Sequence, residues 1–66
     1  MCESTVYLRD GSDERVLMKD VAIVRPRGAR LVITSVFGDR LEVEASVTEL
    51  DLMAHRIVVE KGPPGG

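Results

Sequence analysis

The feature that most constrains the fold is the stretch 40–47, where Leu41, Val43, Ala45 and Val47 alternate without a break with Arg40, Glu42, Glu44 and Ser46. A strand sends successive side chains to opposite faces, so a period of two marks a half-buried strand and excludes a helical stripe. The pattern predicts that the four aliphatic residues face inward and that Glu42 and Glu44 face solvent.

The remaining segments read the same way. Residues 3–9 put Ser4, Val6 and Leu8 on one side, and Tyr7 and Arg9 on the other. Asp10-Gly11-Ser12-Asp13 is a turn in which glycine accepts a positive φ at little cost, and residues 14–18 form the returning strand of a hairpin. Lys19-Asp20 is a polar break that bends the chain. Residues 21–25 (VAIVR) form a nearly continuous apolar run, expected of a strand buried on both faces. Pro26-Arg27-Gly28-Ala29 reads as a turn, since proline cannot donate to a central ladder. Residues 30–37 give another strand and Gly38-Asp39 closes a further hairpin. Residues 48–52 continue as a short strand, Met53-Ala54-His55 makes the last tight connection, and residues 57–60 (IVVE) are apolar and β-branched enough to be central. No window of ten residues carries a convincing helical stripe. The expected class is all-β: a small antiparallel meander of about six to seven short strands, curled into a barrel or half-barrel. Residues 1–60 are expected to form one β domain and residues 61–66 a flexible tail.

Size then raises a question of stability. A chain of 66 residues buries only about 60% of its unfolded surface, and small domains of this kind usually add disulfides, a metal or a partner subunit. One cysteine rules out an intrachain disulfide. The high aliphatic content fits a homodimer interface added to a small core. No apolar run approaches the roughly 20 residues that cross a bilayer, and charges interrupt the first twenty residues, against a signal peptide. A reducing cytoplasm is the expected compartment. A net charge of −2 gives no general attraction to phosphate backbones.

Chemistry is concentrated at the N-terminus. The α-amine of Met1, the amide nitrogen of Cys2 and its thiolate can form fused five-membered chelate rings. Nitrogen and thiolate donors held in a plane suit a square-planar ion, Ni(II) or Cu(II) rather than Mg or Ca. One chain supplies too few donors for a closed site, whereas a symmetric dimer that brings two Cys2 residues together supplies four. The plain alternative is that Cys2 is a small buried residue that starts a strand. His55, the only histidine, follows a turn where a solvated polar side chain is common, and no Cys-x-x-Cys or His-x-x-x-His spacing marks a zinc site. Asp20, Glu42, Glu44, Glu49 and Asp51 form no recognisable acid–base pair, and a Cys2–His55 nucleophile pair lacks a third group to orient the histidine. An enzyme is not expected. Arg25, Arg27 and Arg30 cluster about one turn and could hold a phosphate, which leaves an RNA-binding module as the alternative. Against it stand only two aromatics, Tyr7 and Phe37, and the negative net charge.

The pattern Met1-Cys2-Glu3-Ser4-x-Val6-Tyr7-Leu8, then Val16-Leu17-Met18-x-Asp20-Val21, Phe37-Gly38, Leu50-Asp51-Leu52 and His55-Arg56-Ile57-Val58 resembles the CooT family. These are small nickel-binding proteins, some linked to nickel insertion into carbon monoxide dehydrogenase, and the family has also carried a predicted RNA-binding label. The resemblance implies a β-rich homodimer that binds Ni(II) through the cysteine after the initiator methionine, here Cys2, and that serves a nickel-enzyme client. It gives His55 no ligand role.

Overall fold

A computed structural model of the protein describes residues 3–62; the Met1 and Cys2 of the expected metal site, and most of the expected tail, lie outside the described residues. Five strands follow in chain order: β1 (Ser4–Asp10), β2 (Asp13–Arg27), β3 (Arg30–Ser35), β4 (Arg40–Asp51) and β5 (Arg56–Lys61). Each pairs antiparallel with the next, and β1 pairs with β5 in parallel to close the barrel. The parallel closure follows from the count. In an up-and-down meander with an odd number of strands, the first and last run in the same direction.

Five strands replace the expected six or seven because two of them are long and bent. β2 pairs with β1 up to Val21 and with β3 from Val21 onward, so one continuous strand belongs to both halves of the barrel. Its bend falls at Lys19-Asp20, as the polar break predicts, and Asp20 takes a left-handed φ of 55°, which short polar residues tolerate best after glycine. The Asp20 carbonyl accepts the amide of Val36 at 2.8 Å. β4 likewise pairs with β3 through Glu44 and with β5 from Ala45, with a register shift between Val47 and Glu49. Residues 48–52 therefore extend β4 through Asp51 rather than forming a strand of their own.

Two hairpins use two-residue Gly-X loops, Gly11-Ser12 between Asp10 and Asp13 and Gly28-Ala29 between Arg27 and Arg30. In each the glycine alone has a positive φ, 66° and 62°, the pattern whose twist matches the flanking strands. Pro26 is inside β2, opposite Leu31, not in the turn. It is tolerated because, among the described residues, this half of β2 has a strand neighbour only on the β3 side.

Val6, Leu8, Val21, Leu31, Ile33, Ala45 and Val59 form the buried core, with Leu17, Met18, Val24, Val43 and Ile57 packed against it. Two expectations fail at the bends. Ile23 is 45% exposed and Val47 39%. A strand that leaves one half of the barrel for the other loses a neighbour on one side, and the side chains at the crossing reach solvent. On the outer surface, Val58 is fully buried between Tyr7 of β1 and Glu49 of β4, which explains the unbroken apolar run of β5.

Candidate metal centre

The strand register assigns the barrel two ends. One carries the start of β1, because Ser4 pairs with Val21, Val21 with Ser35, and Thr5 with Arg56. The same end therefore holds the Asp20 bend, the β3–β4 turn and the β4–β5 turn. Both turns are fixed locally. The Ser35 hydroxyl accepts the amides of Phe37 and Asp39, each at 3.1 Å. The Asp51 carboxylate accepts the amide of Ala54 at 3.0 Å, and the His55 carbonyl accepts the amide of Thr5 at 3.0 Å. The chain thus enters β1 directly beside the β4–β5 turn.

These turns present large apolar side chains to solvent. Phe37 is 77% exposed, Leu52 78% and Met53 93%, with Val36 and Leu50 also exposed. Phe37, expected at the end of a strand, is past the end of β3. The first described strand therefore starts at the apolar end of the barrel, while Met1 and Cys2 lie outside the described residues. His55 sits at this end too, exposed, with a left-handed φ of 55°, and its carbonyl rather than its ring holds the start of β1.

The other candidates disperse. Glu42 and Glu44 face outward, as alternation predicts, and among the described residues no group of three His, Cys, Asp or Glu side chains converges to hold a metal. Arg25, Arg27 and Arg30 are exposed around the β2–β3 hairpin, with Arg27 opposite Arg30. Arg30 reaches Glu42 at 3.8 Å and lies opposite Glu44, so carboxylates dilute the cluster. Outside any expectation is a network on the outer face of β1: Arg56 stacks on Tyr7 at 4.4 Å from the ring centroid and pairs with Glu14, which also pairs with Arg9 at 3.2 Å. The two guanidiniums, Arg56 first, hold the Glu14 carboxyl below its ordinary pKa. This network ties β5 to the first hairpin across the parallel closure. The Arg9–Glu14 half could be read from the hairpin, but the Arg56 half depends on the closure itself.

No helix among the described residues is long and apolar enough to cross a membrane. The family model for the "CO dehydrogenase accessory protein CooT" matches residues 1–60. An uncharacterized protein of Methanocaldococcus jannaschii is 28% identical over 60 residues, covering 91% of this chain and 98% of that one. The crystal structure described as a CooT from Carboxydothermus hydrogenoformans superposes with a TM-score of 0.84 at 28% identity, covering 91% of this chain and 97% of the other. With the all-β barrel, its turns and the N-terminal strand in place, the chain belongs to the CooT family of CO dehydrogenase accessory proteins, which are not themselves enzymes.

Proposed function

We propose that this protein is a nickel-binding accessory protein that works as a homodimer in the cytoplasm. Ni(II) is its cargo, held where two chains bring their Cys2 thiolates and the nitrogens of Met1 and Cys2 together. It delivers or buffers the ion for a nickel enzyme such as carbon monoxide dehydrogenase. The observation that carries this reading is the placement of the start of β1 between two turns bearing exposed Phe37, Leu52 and Met53.

Val36, Phe37, Leu50, Leu52 and Met53 together leave roughly 600 Å² of side chain in water, at the upper end of what single-chain proteins expose. A standard interface takes about 800 Å² from each partner, so this end and its polar rim are sufficient for a second copy. A two-fold axis through it would place both N-termini at one site. A thiolate site at the rim of an interface releases its ion by ligand exchange, whereas a closed cage would retain it. Thiolate and amine must lose protons to bind, so affinity rises with pH.

The test is titration of Ni(II) into the wild-type protein and Cys2→Ser, followed by the thiolate-to-metal charge-transfer band and by sedimentation. The band is expected only with the wild type, at one ion per two chains. Equal tight binding by both proteins would overturn the proposal. The RNA alternative has no comparable support, because Glu42 and Glu44 share the arginine face.

A further inference from the structure

The end of the barrel away from the start of β1 holds a cavity of about 350 Å³. Its apolar lining comes from Leu8, Leu17, Leu41 and Val43, and its charged lining includes Arg15 and Lys61. Leu41, Glu42, Val43 and Glu44 line it as four consecutive residues. A strand that presents a face contributes alternate residues, and one that presents its edge contributes all of them. The register explains this. Residues 40–44 of β4 pair with β3, and β5 joins β4 only from Ala45. The other edge of this half-strand has no strand partner among the described residues, and only its last carbonyl, that of Glu44, is taken, by the amide of Gly62 at 3.0 Å. Short of that bond, the amides and carbonyls that face this edge are a template for another strand.

The cations are placed by the same register. Arg15 is opposite Leu8 and Lys61 opposite Ala45. Directly opposed residues share a face of the sheet, so both belong to the core-facing side, at the mouth. Neither forms an ion pair among the described residues, while Glu42 turns to Arg30 on the outer face and Glu44 shares that face. An edge open short of Glu44, an apolar floor and two cations with no ion pair among the described residues are the parts needed to seat a terminal carboxylate on an added strand.

We propose that this cavity captures the C-terminus of an extended segment of a partner protein. The segment adds to the free edge of β4, its last, apolar side chain enters between Leu8, Leu17 and Val43, and its carboxylate sits between Arg15 and Lys61. The volume is at the small end of the range of about 300–1,000 Å³ for ligand sites and suits one side chain with its carboxylate. This inference rests on the barrel alone and is independent of nickel.

The test uses the full chain and a fluorescein-labelled hexapeptide, Gly-Ser-Val-Thr-Val-Leu, followed by anisotropy. Binding should weaken at least tenfold when the peptide is amidated, when its last residue is glycine, and in Arg15→Gln or Lys61→Gln. Both substituted positions are exposed, so an unchanged circular dichroism melt will accompany the loss. Leu41→Asp should abolish binding of the free-acid peptide. Absence of binding at millimolar peptide, or equal binding of free and amidated peptides, would overturn the proposal. So would binding that appears only in a chain ending at Gly62, since the chain's own last four residues would then be the occupant.

Discussion

Replacing Phe37 by aspartate separates association from folding. Phe37 is about three-quarters exposed in the single chain, and its amide is held by the Ser35 hydroxyl through the backbone, so the substitution removes no core contact. A phenylalanine side chain offers about 200 Å², which leaves about 150 Å² to bury against a second copy. At about 25 cal/mol per Å² that is about 4 kcal/mol per copy as an upper bound. Ordering and imperfect desolvation remove a large part of it. Two copies contribute to each dimer, and a carboxylate placed in an apolar interface adds a penalty. A loss of at least about 3 kcal/mol in dimer stability follows, more than a hundredfold in Kd. Sedimentation over a concentration series reads this directly, with the circular dichroism melt of the dilute monomer as control. An unchanged dimer Kd would refute the assignment of this end as the interface. A large fall in monomer stability would refute the claim that Phe37 makes no core contact among the described residues.

Three further outcomes test the fold and the site. Ile33→Ala opens a cavity at a fully buried position and should cost about 3 kcal/mol, a large share of the stability of so small a domain, seen as a lower denaturation midpoint in urea. Glu14→Gln removes the carboxylate held by Arg56 and Arg9. Because the folded-state pKa is depressed, this carboxylate's stabilisation is present above the unfolded value and lost as pH falls through the folded one, so the variant's melting temperature should fall less steeply than the wild type's on acidification below about pH 4.5. His55→Asn keeps a residue that tolerates the left-handed φ of 55° and should leave both the melt and the nickel titration unchanged; weaker nickel binding would make His55 a ligand.

The all-β class and the turns were legible because both depend on local chemistry: the alternation of residues 40–47, the Gly-X loops and the polar pair Lys19-Asp20. The number of strands was not. Whether a polar break ends a strand or bends it depends on what lies beside it, and β2 stays continuous because β1 holds its first half and β3 its second. The exposure of Val47 and Ile23 is hidden for the same reason, since their residue types fit a core and only the missing neighbour strand puts them in water. At the candidate site, bonded geometry alone proposes Met1 and Cys2 as donors, and both lie outside the described residues. The apolar end at which β1 starts could not be read from the sequence, because Phe37, Leu52 and Met53 belong to separate turns that only the closed barrel brings to one end. Glu14 and Arg56 are joined across 42 positions, with no local signal.

Nickel content of the purified wild type and of Cys2→Ser, each measured with its mass in solution, tests the central claim most directly. The account predicts one nickel per two chains in the wild type, none in Cys2→Ser, and a dimer in both, because the interface it proposes is the apolar end and not the metal. Nickel retained at wild-type stoichiometry by Cys2→Ser, or bound by a strictly monomeric wild type, would contradict it.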